Sequence, residues 1–496
     1  MNTRIQLNQT PDNSAALVML CSPQGMNSFL KSNKLPSILA KITDKTALKK
    51  LFQLRGFKGK DGQCLVHSIA SAKNFTTILF YCLDANEEKN GNFYRNHGSS
   101  LLGKLDSAKL EKVQFNLDYA EGLSASQLEG LLEGLLLKDY SYSRFKSTKQ
   151  KKQRPRVVFL PKSKITVKLP LKQLSTLAKS TCLARDLVNT PPNKCFPADM
   201  VRITKAQLKN SGIRVTAYNK AQLQKMSANL LLAVSEGSSQ APYLLKLVYK
   251  PKGGSKKPPL AIVGKGVTFD SGGLSIKSGS GMMAMKCDMA GAAAVIGAMD
   301  AIAALKPKRE VRAYIPLVEN MINGSATRPG DIVKGMHGKT VEILNTDAEG
   351  RLILSDALTL ADKEGAQKII SLATLTGACM VALGNLYAGL FSNNESLCQE
   401  LKQAAAKTGE LLWELPLADE YRDQLKSHPA DLKNIGGSYG GAITAALFLE
   451  HSIKKAQWAH IDLAGPAFLD GASGYHPKGG TGFGVRTLVR WIQSLS

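Results

Sequence analysis

Four acids, two lysines and one arginine stand among glycines just after two apolar runs, a set able to hold cations and stabilise charge. In the first run, VGKGVTFDSGGLSIK, the apolar stretch LAIV from Leu260 leads into Lys265, Asp270, a Gly-Gly pair and Lys277, and Asp288 follows in MKCDMAG. In the second, EILNTDAEGR, the stretch VEIL ends at Asn345 and is followed by Asp347, Glu349 and Arg351. Read as extended chain, residues two apart share a side, so Asp347, Glu349 and Arg351 are expected to project together. Acids crowded in this way must hold cations or protons, because several buried like charges are otherwise very costly. Carboxylate oxygens suit divalent metals, and two ions roughly 3.5–4 Å apart need a bridging carboxylate with further ligands on each side.

Taken singly, each residue has an ordinary reading. Asp288 before a helix is a cap, Lys265 and Lys277 are solvated charges, Arg351 is half of a surface ion pair, and the glycines turn the chain. Together they read as a carboxylate metal site with cationic helpers, hydrolytic in character. Other metal signatures are missing. The chain has no HExxH, and His67, His97, His337, His428, His451, His460 and His476 form no ligand-spaced pair, which argues against a His- or Cys-based zinc site.

Polar residues of this kind work where strands of an α/β sheet end. β-rich runs (IRVTAY at Ile213, LLLAVS at Leu230, YLLKLVY at Tyr243, LAIVGKGV at Leu260, VRAYIPLVE at Val311, KIISLATL at Lys368, AHIDLAG at Ala459) alternate with helix-like segments. The expected fold is therefore α/β: a smaller N-terminal α/β domain, then a larger catalytic α/β domain with a central mixed sheet flanked by helices. The expected boundaries are 1–165 for the first domain, 166–190 for a connecting helix with apolar positions from Leu171 to Val188, and 191–496 for the second. In the first part, ALVMLC at Ala16, FTTILFYCL at Phe75 and RVVFL at Arg156 read as strands and Ser126 to Lys138 as a helix. Neither GxGxxG nor GxxxxGK[ST] occurs, so no nucleotide site is marked.

At 496 residues, with 44% hydrophobic and 21% charged residues, the chain has the composition of a soluble globular protein of two to four domains. The most apolar stretch, Met289 to Leu305, falls short of the roughly 20 residues of a membrane span, so no membrane association is expected. The N-terminus lacks the apolar core of a secretory signal, and eight cysteines without a CxxC pair suit a reducing, cytoplasmic address. The net charge of +26 is unusual, and its excess lies toward the N-terminal part. One cluster, Lys146 to Arg156, reads as a solvated linker, with weak nucleic-acid contact as the alternative.

The motifs NTDAEGRLILSDAL at Asn345, GKGVTFDSGGLSIK at Gly264 and MKCDMAGAAAV at Met285 together closely resemble the leucyl aminopeptidases, the dinuclear-metal cytosol aminopeptidase family. The similarity continues through ARDLVNTPPN, SLATLTGACMVALG, WELPL, ADLKNIGG, WAHIDLAGPA and GGTGFGVRTL, covering essentially all of residues 180 to 496. EGLLLKDYSYSRFKS at Glu133 resembles the end of that family's variable N-terminal domain. The resemblance implies a metal-dependent aminopeptidase that releases N-terminal apolar residues, Leu or Met preferred, from peptides. It implies Asp270 and Glu349 as bridges between two divalent ions, Lys265 and Asp288 completing one site and Asp347 the other. The ions would be zinc or manganese, with cobalt or magnesium as alternatives. Lys277 and Arg351 would be the catalytic cations, Arg351 holding a bicarbonate, and a metal-ligating Lys265 would need a strongly depressed pKa. Met285, Thr374, Leu375, Gly377 and Ala464 would line the first substrate pocket, and the enzyme would assemble as a homohexamer. Met283 and Ala284 stand where the family often has an acidic pair.

Overall fold

The computed structural model describes residues 2–8, 15–32, 35, 37–40, 43–70, 75–85, 91–147, 155–163 and 165–496. The chain divides into two units. One comprises Met1–Lys179 with Ala472–Pro477, and the other Ser180–Gly471 with Lys478–Ser496. The division thus falls inside the helix Leu171–Asn189, and a short late segment returns to the first unit.

The first unit is built on six strands: β1 (Thr3–Asn8), β2 (Ala16–Cys21), β3 (Cys64–Ala70), β4 (Phe75–Cys82), β5 (Lys112–Tyr119) and β6 (Arg156–Pro161). Their order is β1-β6-β5-β2-β4-β3, parallel except for β3. Strand β2 is apolar throughout because both faces of the sheet are covered. Leu17, Met19 and Cys21 pack into one cluster with Phe29, Phe52 and Phe80, while Val18 and Leu20 enter another with Leu131 and Leu135 of the helix Ala125–Lys138.

The second unit carries β7 (Ile213–Tyr218), β8 (Tyr243–Tyr249), β9 (Leu260–Gly264), β10 (Gly266–Asp270), β11 (Val311–Asn320), β12 (Asp331–Lys334), β13 (Thr340–Ile343), β14 (Lys368–Ala373), β15 (Ala388–Ser392), β16 (Leu412–Glu414), β17 (Leu432–Lys433) and β18 (Gln457–Asp462). The main sheet runs β16-β15-β18-β14-β9-β11-β8-β7, with β10 beside β11, while β12-β13-β17 forms a smaller sheet. The mixed α/β architecture expected from the alternation is present in both units.

Two readings of local structure are corrected. LLLAVS is not a strand: Asn229–Ser235 is a helix, buried on all sides and packed against the helix Glu349–Lys363. A short apolar run carries no periodicity that separates a buried helix from a buried strand. Here Asp356 settles it, since its fully buried carboxylate accepts from Leu231 N at 3.0 Å and Met336 N at 2.8 Å. Replacing Asp356 with Ala orphans both amides and is expected to cost on the order of 3 kcal/mol in urea denaturation. An unchanged midpoint would show that water or a shift of the helix satisfies them.

The second correction concerns span length. The helical run Gly279–Leu305, 27 residues, is by length and composition long and apolar enough to cross a membrane. It exceeds the expected length because the short helix Gly279–Met282 and the turn Met285–Cys287 precede Ala290–Leu305. Its apolar window is 83% buried within the fold, the place of a core helix.

Candidate active site

Strands β9, β11, β14 and β18 are mutually parallel, and β10 runs parallel to β11, so their carboxyl ends share one edge of the sheet. That edge collects Lys265 just after β9, Asp270 ending β10, Asn320 ending β11, Thr374 just after β14 and Asp462 ending β18. Lys265 is fixed by its own backbone: its N–H donates to Leu372 O at 3.0 Å, and its carbonyl accepts from Ala292 N at 2.8 Å. Asp288 does not cap the Ala-rich helix. The residue at that cap is Met289, with no side-chain cap bond, and the Asp288 carboxylate instead accepts from Thr374 Oγ1 at 2.7 Å.

The second acidic segment is not extended. Asp347 lies in a turn after β13, and Glu349 opens the helix Glu349–Lys363. The turn, and not the pleat of a strand, brings Asp347 and Glu349 together, while Arg351 takes a different direction and donates from Nη1 to Asn434 O at 2.8 Å. Gly350 between them lies tight against Lys265: a Cβ there would come within 2.6 Å of Lys265 Cε, so the lysine that meets Asp288 and Glu349 would have to move. Gly272, at φ +88°, likewise lets the chain pass Asp347, whose Oδ1 a Cβ would approach to 2.9 Å.

Asp270, Asp347 and Glu349 each offer a carboxylate oxygen, and these oxygens all lie within 4.8 Å of one another. Lys265 Nζ stands 2.7 Å from Asp288 Oδ1, 2.8 Å from Glu349 Oε1 and 2.8 Å from Thr374 O. Lys277 Nζ stands 2.9 Å from Asp270 Oδ2 and also pairs with Asp347 Oδ1. Asp288 Oδ2 and Glu349 Oε2 are buried without a hydrogen-bond partner.

The electrostatics follow from this crowding. Burial raises Asp270, with Glu349 adding to it against the two lysines. Burial likewise raises Asp288 well above the ordinary carboxylate range although Lys265 opposes it, and it raises Asp347 against Lys277. For Lys265, burial favours the neutral amine, but Asp288, Glu349 and Asp270 outweigh it and raise its pKa. The depressed pKa expected of this lysine is therefore not a property of the protein groups alone. It requires a positive charge among the carboxylates, which is the direction a dication would act. Buried acids that raise one another, with two oxygens left orphaned, fit hard divalent cations.

Around this cluster, sequence reasoning missed three residues. Asn320 donates from Nδ2 to Asp270 Oδ1 at 2.8 Å. Asn434, just after β17, accepts on Oδ1 from Leu344 N and Asn345 N and donates from Nδ2 to Asn345 O, pinning the acidic turn. Asp462 accepts from Leu375 N at 3.1 Å and Ala464 N at 3.2 Å on Oδ1, and from Thr376 Oγ1 at 2.7 Å on Oδ2. All three end or follow a strand, which is the signal in the sequence that could have found them. Asp462 ties together the segments carrying Thr374, Leu375, Gly377 and Ala464. Gly377 begins the helix Gly377–Leu383 and is exposed, Met285 opens the turn Met285–Cys287, and Met283 before it is 80% exposed. Arg351 is buried, which pushes its guanidinium down to about 10, and its Nε has no hydrogen-bond partner.

Most of the basic tract, including Lys149, Lys151, Lys152 and Arg154, lies outside the described residues. Arg156 is committed within the fold, donating to Asp106 Oδ1 at 2.5 Å and to Leu110 O at 2.9 Å.

Comparison with known proteins bears on the family of the chain. The catalytic-domain profile of the cytosol aminopeptidase family matches residues 182–489, and its N-terminal-domain profile matches residues 28–149. A probable cytosol aminopeptidase of Aquifex aeolicus is 41% identical over 463 residues, 92% of each chain, and one from Synechocystis is 38% identical over 480 residues, 94% of this chain and 95% of that one. Among solved structures, the bottromycin maturation enzyme BotP in complex with Mn superposes with a TM-score of 0.83 at 31% identity, covering 97% of this chain and 99% of that one. With both domains matched and relatives aligned along nearly the whole length, this chain belongs to the cytosol aminopeptidase family and is a metal-dependent aminopeptidase, a hydrolase acting on peptides.

Proposed function

We propose that the enzyme releases N-terminal apolar residues, Leu or Met preferred, with two divalent ions held by Lys265, Asp270, Asp288, Asp347 and Glu349. Asp270 and Glu349 would help to hold both ions, Lys265 and Asp288 one of them, and Asp347 the other. The observation that carries this reading is the set of three carboxylate oxygens within 4.8 Å of one another, flanked by two lysines, with partnerless oxygens on Glu349 and Asp288. Zinc or manganese is favoured, with cobalt or magnesium as alternatives; the manganese of the BotP complex supports the second of the favoured pair. When bound, such ions act as Lewis acids toward the scissile carbonyl and lower the pKa of water toward neutrality.

The chain's own groups do the rest. Lys277, an ammonium held between Asp270 and Asp347, stabilises the oxyanion that develops at the scissile carbon. Arg351 presents a partnerless Nε, suited to hold a bicarbonate, which would serve as the base. Thr374, Leu375 and Ala464, half-buried, with Met285 and Gly377, line an apolar first pocket of small and flexible side chains. Residues 191–496 form the catalytic domain in this reading, 1–165 the N-terminal domain and 166–190 the helix between them. The assembly in this reading is a homohexamer, as the family resemblance implies, and the compartment is the cytoplasm, which the relatives' name, cytosol aminopeptidase, supports. No observation favours the alternative role in nucleic-acid binding.

The test is a pair of substrates. Leucyl amide is expected to be cleaved in a chelator-sensitive manner, and N-acetyl-leucyl amide not at all, because acetylation removes the amine that an exopeptidase must ligate. Efficient turnover of the blocked amide would contradict the exopeptidase reading.

A further inference from the structure

Asn320 is buried and has no part in the roles assigned above, yet its amide touches the acidic cluster at two points. Nδ2 donates to Asp270 Oδ1 at 2.8 Å and to Thr346 O at 3.1 Å, which uses both of its hydrogens. Asp270 Oδ1 accepts a second bond from Gly272 N at 2.9 Å, while Oδ2 faces Lys277. Thr346 immediately precedes Asp347, whose own N–H donates to Asn345 Oδ1 at 2.8 Å. One amide group therefore joins the end of β10, which carries Asp270, to the turn that carries Asp347.

The backbone that carries the amide is fixed: the main-chain carbonyl of Asn320 accepts from Ser271 N at 3.0 Å and Ser271 Oγ at 2.9 Å. The side chain passes close to Gly273, where a Cβ would come within 3.0 Å of Asn320 Oδ1. A neutral donor suits this position: it orients a carboxylate without adding a charge that would compete for the cation or repel it.

We propose that Asn320 is a positioning residue for metal binding, setting the orientation of the Asp270 carboxylate and its spacing from Asp347. This rests on the assignment of Asp270 as a metal ligand. Partners that orient ligating groups typically contribute about 10–100-fold in metal affinity.

The experiment uses the full-length protein stripped of metal and titrated calorimetrically with Mn²⁺ and Zn²⁺, with the visible spectrum of the Co²⁺ form as a second readout. Asn320→Leu keeps the size and loses the donor; Asn320→Ser, whose hydroxyl is too short to reach Asp270, is the second variant should the first not fold. Either is expected to weaken metal binding by about 10–100-fold and to shift the Co²⁺ bands. Wild-type isotherms and bands in a folded variant, while Asp270→Asn loses metal, would show that Asn320 is only a piece of the fold. Wild-type metal binding by Asp270→Asn would instead remove the ligand assignment, and the proposal with it.

Discussion

Glu349→Gln is expected to lower turnover of leucyl amide on the order of 10³-fold, about 4 kcal/mol of barrier, and to bind fewer than two metal ions per subunit. The substitution keeps the side chain's shape and removes one negative charge from a site where three carboxylate oxygens lie within 4.8 Å of one another. Glu349 has one oxygen near Lys265 and the other without a partner, so it is the acid with most to offer a cation and least to lose structurally. Its loss removes attraction to Lys265 and repulsion from Asp270 and Asp288 together, so the metal-free variant is expected to melt close to wild type. Asp270→Asn should behave alike in activity and stoichiometry. Metal counting on the purified variants decides the matter: full activity with two ions bound would end the bridging assignment.

Lys277→Ala is expected to leave fold, metal content and KM near wild type while kcat falls about 10²–10³-fold. The ammonium sits between Asp270 and Asp347, with its side chain 18% exposed at the mouth of the cluster. An interaction that strengthens as negative charge develops on the substrate oxygen lowers kcat and kcat/KM equally when removed. Lys277→Arg should not rescue, because a planar guanidinium cannot occupy the space of a point charge between two carboxylates. A rise in KM with kcat unchanged would make Lys277 a binding residue.

Much of this site could be read in the residues. The run GKGVTFDSGGLSIK placed Lys265, Asp270 and Lys277 after an apolar strand, and β9 and β10 are there, broken at Lys265. The segment EILNTDAEGR held two acids that the structure does bring together, Asp347 and Glu349, but under the wrong geometry. Alternate pointing along a strand brought Asp347, Glu349 and Arg351 together on paper, whereas a helix starting at Glu349 sends Arg351 toward Asn434. Arg351 and Glu349 differ in direction because a helix advances about 100° per residue and a strand about 180°. The misread LLLAVS fails for a related reason, since a run apolar on every side reports burial and not shape.

The order of residues dictates which groups are available and what they can do: carboxylates for hard cations, lysines and an arginine for developing negative charge, glycines where backbones must pass closely. It also dictates the alternation of strand and helix that makes an α/β sheet. That these groups meet follows from the assembly of the sheet. Lys265 and Thr374 are 109 positions apart, Asp270 and Asn320 are 50, and Leu375 and Asp462 are 87. Each pair is joined because β9, β10, β11, β14 and β18 end side by side. Local periodicity reports which face of a strand is buried, but which strands become neighbours follows from how the whole core packs. Asn320, Asn434 and Asp462 escaped notice for that reason: each is a single polar residue at a strand end, and its partners are brought to it only when the sheet is assembled.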